Sequence, residues 1–227
     1  MEIKTDKTHC GDMEGVCPHC CSGVGLIHFC SQCNKIQPVP HNADYYTFFD
    51  IPLKFHIDEP ELEKKFYSLS RQFHPDYYMN ASEEERQASI ERSSMLNDAF
   101  RTLRDNVSRA QYILSLEGIA QVEKKAPPEL LEEVFDLNME IEELKAARNA
   151  GDEDEAAALQ IPLVAALSNL EKKTASMDEE LSGLFREWDS APDAVDLKNG
   201  ELIFKIKEIL SHRSYLSNLI QIIKEIV

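Results

Sequence analysis

The chain has 227 residues, 43% of them hydrophobic, which is enough for one or two domains with real cores and too apolar for a disordered chain. Its 24 Lys and Arg face 41 Asp and Glu, a formal net charge of -17, so broad electrostatic attraction to nucleic acid or anionic lipid is disfavoured. No apolar run reaches membrane-spanning length.

The acidity is uneven: residues 1–120 hold 12 basic and 18 acidic side chains, residues 121–227 hold 12 and 23, so basic partner surfaces suit the second half better. The opening "MEIKTDKTHCGDMEG" has neither the apolar core of a signal peptide nor the Arg-rich, acid-poor character of a transit peptide. A cytoplasmic, bacterial protein is the expectation, with the mitochondrial matrix left for a processed organellar form. All six cysteines fall in the first 33 residues, which a disulfide framework for the whole chain would not produce.

Residues 1–9 read as a flexible N-terminus and residues 10–40 as a four-cysteine metal-binding module. In "CPHCCSGVGLIHFCSQC" the pairs Cys17-x-x-Cys20 and Cys30-x-x-Cys33 form two knuckles that can offer four thiolates tetrahedrally, a set that Zn²⁺ accepts without redox chemistry. So short a segment, with almost no apolar core, needs such a staple to fold. A redox-active CxxC pair or an iron-sulfur cluster on the same thiolates are the alternatives. Cys10 or Cys21 could substitute as ligands, since Cys20 is preferred over Cys21 on spacing alone, whereas His19 and His28 read as bystanders. A closed four-thiolate site leaves no position for a reacting water, so no hydrolytic chemistry is implied and the roles left are stability or additional partner contact.

Residues 41–120 alternate helical patterns with short breaks. Asp58 reads as an N-cap with Glu61 three residues on, and Leu62, Phe66, Leu69 and Phe73 then recur at spacings of four, three and four. Ser82 and Glu85 repeat the capping signature ahead of a second long helix with Ser89, Ser93, Leu96, Phe100 and Leu103 on one face. The two make an antiparallel hairpin, with "DYYTFFDIP" lying across it. In the connecting loop stand His74, Pro75 and Asp76. As a bare tripeptide these are a connector, because proline ends a helix and restricts the residue before it. The placement argues for more: the loop follows a helix whose polar face carries Lys64, Lys65 and Arg71.

This arrangement resembles the J-domain, whose His-Pro-Asp loop engages DnaK-type chaperones and stimulates their ATP hydrolysis. With "DYYTFFDIPLKFHID", "LNDAFRTLRD" and "SRAQYILSLEG", the chain is similar to the HscB family, J-type cochaperones of iron-sulfur cluster biogenesis. The resemblance implies that His74, Pro75, Asp76, Lys64, Lys65 and Arg71 meet an HscA/DnaK-type ATPase chaperone. It also implies that a C-terminal helical bundle holds the cluster scaffold protein, that the protein catalyses nothing itself, and that a four-cysteine extension of the kind seen in animal members precedes the J-domain.

Residues 121–227 read as that bundle. Leu130, Val134, Leu137, Ile141 and Leu144 form a core seam, while Leu131, Phe135 and Met139 lie on a different face of the same helix. That second stripe is either buried against another neighbour or an exposed strip rimmed by Glu132, Asp136 and Glu140. The resemblance implies the exposed strip, with Leu131, Phe135, Asp136, Met139 and Tyr215 on the scaffold contact, although Glu132 and Met139 depart from the family pattern. Asp152 starts the next helix, and Pro162 predicts a kink or break near Gln160 and Ile161. The "NG" at 199–200 marks another possible break. The fold class is all-α: a J-domain hairpin, then a helical bundle, preceded by a zinc-knuckle module. Competing functions are a general J-protein for unfolded clients, or a metal- or redox-sensing protein acting through the CxxC pairs.

Overall fold

A computed structural model describes residues 16–23, 28–119, 126–190 and 200–227. Residues 1–9, read from the sequence as a flexible N-terminus, Cys10 and Asn199 of the "NG" pair lie outside these. The chain divides into two units, Met1–Arg109 and Ala110–Val227.

In the first unit, helix α1 (Tyr45–Phe49) begins where the Asp44 carboxylate accepts the Thr47 N–H, and it buries Tyr46, Phe48 and Phe49. Helix α2 (Glu59–Phe73) is capped by Asp58, which accepts from the Glu61 N–H, and buries Leu62 and Phe73. Helix α3 (Glu83–Arg104) is capped by Ser82 and buries Ala88, Ser89, Arg92, Leu96, Ala99 and Leu103. α2 and α3 pack on each other, and the short α1 lies against both. A single 3-10 turn, Pro75–Tyr78, fills the connecting loop. Helix α4 (Asn106–Leu116) starts at Asp105, whose carboxylate accepts the Ser108 N–H at 2.7 Å, and runs on into the second unit.

The second unit holds α5 (Leu131–Ala150), α6 (Glu153–Ser190) and α7 (Gly200–Ile226), with α6 packed on both of the others and α5 also touching α7. Val134, Leu137, Ile141 and Leu144 meet Leu163 and Leu170 of α6 and Leu216, Leu219 and Ile223 of α7 in one core, with Leu130 partly buried at its edge. The α5–α6 corner turns on Gly151, whose φ of 76° is left-handed and costs any other L-residue about 1–2 kcal/mol. Asp152 then caps α6 through the Glu155 N–H at 3.0 Å. Three interhelical ion pairs, Glu133–Lys173, Glu171–Lys224 and Asp178–Arg213, lie outside the apolar seam.

Of the kink or break expected at Pro162, the break does not occur: α6 runs from Glu153 to Ser190 with the proline inside it. The proline and Ala158, whose carbonyl loses its helical donor, are both exposed, so water can replace the missing bond. Leu163 and Leu170 meanwhile keep the helix on the core through the proline. Gly200, the second half of the "NG" pair, is the first residue of α7.

Candidate functional site

Three groups of side chains carry possible chemistry. The first is the cysteine module, built from two turns with the same backbone plan. In one, the Cys17 N–H donates to Ser22 O at 2.8 Å and the Cys21 N–H to Cys17 O at 2.9 Å. In the other, the Cys30 N–H donates to Lys35 O at 2.9 Å and the Asn34 N–H to Cys30 O at 2.8 Å. Antiparallel bridges Val16–Gly23 and Phe29–Ile36 close the two turns. Cys21 and Asn34 occupy equivalent left-handed positions, each with φ of 56°, one residue past a cysteine of the pair. That equivalence decides between Cys20 and Cys21: the first stands where Cys33 stands, the second where Asn34 stands. Cys21 is instead disulfide-bonded.

The Sγ atoms of Cys17, Cys20, Cys30 and Cys33 all lie within 4.8 Å of one another, with Cys17–Cys33 and Cys20–Cys30 at 3.6 Å. A tetrahedral ion with metal–sulfur bonds of ~2.3 Å places its sulfurs ~3.8 Å apart, so the set fits one metal ion. An iron-sulfur cluster divides its four thiolates among two or more irons and so spreads the set beyond what a single ion does. Without an ion the four thiols cannot all ionise. A hydrogen bond from Ser22 is the main cause that holds Cys30 down to about 6. Cys33 is pushed up to about 12, where the Lys35 backbone bond, which lowers it, is outweighed by burial and the crowding of Cys17, Cys20 and Cys30. A divalent cation removes that conflict.

The second group is the loop between α2 and α3. His74 is extended, as a residue before proline must be, and its Nδ1 accepts the Asp76 N–H at 3.3 Å. The proton of the neutral imidazole therefore sits on Nε2, as a donor that a partner can meet. The His74 and Asp76 side chains are 53% and 76% exposed, which makes the loop accessible. The last two carbonyls of α2 are met from elsewhere: Tyr78 Oη donates to Gln72 O at 2.9 Å, and Ser89 and Ser93 Oγ donate to Phe73 O at 2.6 and 3.0 Å. Those two serines explain the polar positions on the inner face of α3.

Of the basic residues on α2, Lys64 and Arg71 are exposed. Lys65 departs from the expectation of a free cation on that face. Its ammonium donates to Phe49 O at 3.1 Å and Asp50 O at 2.6 Å, at the end of α1, with Glu61 3.8 Å away. Its work within the chain is to hold α1 on α2.

His28 is a bystander to the four thiols but not to the fold. Its ring stands edge-on to Phe48 and Phe73 with centroids at 4.8 and 4.9 Å, and its Nδ1 accepts from Arg92. Burial first and the Arg92 charge second depress it to about 4, so it is neutral at physiological pH. Arg92, brought down to about 10 by burial, keeps its charge. Sequence reasoning passed over Arg92, yet a signal existed: it falls on the same face of α3 as Ser89 and Leu96, and an arginine on a buried face needs a polar partner there.

The third group is on α5. Leu131, Phe135 and Met139 are 55%, 65% and 51% exposed, while Val134, Leu137 and Ile141 beside them are buried. Of the two readings of that stripe, the open one holds. Asp136 is exposed as well, and Tyr215 of α7 is partly buried against the bundle core.

Residues 44–112 match the DnaJ domain. An iron-sulfur cluster co-chaperone protein HscB homolog of Arabidopsis thaliana is 34% identical over 139 residues, 60% of this chain and 55% of the plant protein. The iron-sulfur cluster co-chaperone protein HscB of Mus musculus is 28% identical over 206 residues, 89% of this chain and 77% of the mouse protein. The chain thus spans little more than half of the plant relative. The crystal structure of human co-chaperone protein HscB superposes with a TM-score of 0.68 and 26% identity, covering 92% of this chain and 97% of the human one.

The chain carries a J-domain and is similar along most of its length to HscB co-chaperones.

Its all-α fold is that of the human HscB structure, and the four cysteines ahead of the J-domain are arranged to bind a metal ion. No helix among the described residues is long and apolar enough to cross a membrane.

Proposed function

We propose that this chain acts as an HscB-type cochaperone: it binds an iron-sulfur cluster scaffold protein through α5 and α7 and presents it to an HscA/DnaK-type chaperone, whose ATPase the His74-Pro75-Asp76 loop stimulates. The observation that carries the reading is the pair of exposed features a stable fold has no need of: a polar His-Pro-Asp loop, and an apolar strip of Leu131, Phe135 and Met139. The plant and mouse relatives are iron-sulfur cluster co-chaperones, which supports the client class.

One chain that binds both partners raises their effective concentration toward each other, which is what a non-catalytic cochaperone contributes. The rigid proline lets His74 and Asp76 dock at low ordering cost, while Lys64 and Arg71 favour encounter with an acidic chaperone surface. Leu131, Phe135 and Met139 supply the apolar centre of the scaffold contact, with Asp136 and Tyr215 at its edge. Cys17, Cys20, Cys30 and Cys33 hold one structural Zn²⁺, which would link the two turns and has no part in the ATPase cycle.

The test is steady-state ATP hydrolysis by the chaperone with this protein and the scaffold, added separately and together. Stimulation by the two together far beyond the sum of each alone is expected. Stimulation by this protein alone, with nothing added by the scaffold, would leave a J-protein with a different client. Metal analysis of the purified protein should return one zinc per chain and no iron; iron in its place would overturn the zinc assignment.

A further inference from the structure

The His-Pro-Asp loop does not stand on the α2–α3 hairpin alone. Arg92 is 2% exposed on α3, and its guanidinium reaches out of the hairpin to the cysteine module. It donates to Gln37 O, to Pro38 O at 3.0 Å and to His28 Nδ1. The same group lies 5.9 Å from the Phe48 ring centroid and 5.7 Å from that of Phe73. Phe73 is fully buried and immediately precedes His74. Besides the His28 ring it meets Phe29, at 5.9 Å, from the stretch between the two knuckles. A second tie, Lys35 to Glu85 at 3.1 Å, joins the second knuckle to the first turn of α3 just beyond the loop. The module therefore grips the loop's neighbours on both sides.

From this geometry we propose that Arg92 is a positioning residue for chaperone docking, and that the four-cysteine module is the brace through which it fixes the end of α2 and hence the loop. The proposal rests on the reading of the loop as the chaperone-docking element. A planar fork with several donors in fixed directions can hold two carbonyls and an imidazole at once, which a lysine cannot. Fixing Phe73 in this way removes freedom that docking would otherwise have to remove from His74 and Asp76, so the gain is in apparent affinity rather than in the stimulated rate.

The test uses the full chain with Arg92→Gln and Arg92→Lys, read by the dependence of chaperone ATPase on cochaperone concentration and by amide hydrogen exchange at residues 73–78. Arg92→Gln should raise the half-saturating concentration about tenfold at unchanged maximal stimulation. It should also speed exchange across 73–78 and leave the metal content at one per chain. Arg92→Lys should recover part of both effects. Unchanged half-saturation and exchange in Arg92→Gln would overturn the proposal and leave the arginine as packing. So would a fall in maximal stimulation at unchanged half-saturation.

Should Arg92→Gln fail to fold, His28→Phe takes its place: it keeps a ring against Phe48 and Phe73 but offers the guanidinium no acceptor, and the same two readouts apply. Hydrogen exchange also separates the two levels of the argument. If the unmodified protein stimulates no chaperone, the docking function fails; faster exchange at 73–78 in the variants still supports the brace, and unchanged exchange overturns it.

Discussion

Replacing Phe135 by alanine separates a contact residue from a core residue on one helix. Phe135 is 65% exposed, so only about a third of its side chain is withdrawn from water in the folded chain. Full burial of a phenylalanine is worth about 1.5–3 kcal/mol, which limits what is lost on truncation to about 0.5–1 kcal/mol. Alanine's better helix propensity returns about half a kcal/mol, and the unfolding free energy should move by less than about 0.5 kcal/mol. Leu144→Ala, at a fully buried position on the same helix, should cost about 2–5 kcal/mol.

Scaffold binding should rank the two the other way. An anchor at the centre of a small interface is worth at least about 2 kcal/mol, or roughly a 30-fold rise in Kd, so Phe135→Ala should show that loss in calorimetric titration against the scaffold protein. Urea unfolding of the two variants supplies the stability arm. If Phe135→Ala unfolds as easily as Leu144→Ala, or binds the scaffold within about threefold of the unmodified chain, the α5 strip is not the contact surface.

His74→Gln should leave urea unfolding and scaffold affinity unchanged while it abolishes ATPase stimulation, because the exposed imidazole meets Asp76 and Tyr77 of its own loop; retained stimulation would remove the loop from the docking role. Pro162→Ala restores an N–H to face the Ala158 carbonyl in an unbroken helix, and should stabilise the second unit by roughly 1–3 kcal/mol without changing helical content by circular dichroism. A loss of stability there would mean that the proline has a use in the folded helix.

Much of the local structure is readable from the residues. Asp58, Ser82 and Asp152 each accept a backbone N–H three residues on, and each is a short polar side chain just ahead of an apolar-periodic run, which is where such an acceptor has work to do. The spacing of Cys17, Cys20, Cys30 and Cys33 is readable in the same way, because two CxxC turns bring four sulfurs together whatever surrounds them. The identity of the second ligand was less so. Cys20 and Cys21 are neighbours in sequence, and only the left-handed turn at Cys21 tells them apart.

Other features had no local sign. Pro162 is a breaker by propensity, yet exposure of the Ala158 carbonyl and the hold of Leu163 and Leu170 on the core outweigh it, and neither is visible from the tetrapeptide around the proline. Lys65 looks like Lys64 in the sequence, but only one of them faces the carbonyl end of α1.

The amino-acid sequence by itself determined most of the helices, their caps, the hairpin with its His-Pro-Asp loop and the two CxxC pairs, because each depends on groups a few residues apart along the chain; the choice of Cys20 over Cys21 and the unbroken helix through Pro162 were not among them. Only the tertiary structure decided which of two apolar stripes on α5 is buried, and that the cysteine module leans on the end of α2 through Arg92. Periodicity says that a face is apolar; whether a neighbour covers it depends on how distant segments pack, and a buried guanidinium takes its partners from across the fold.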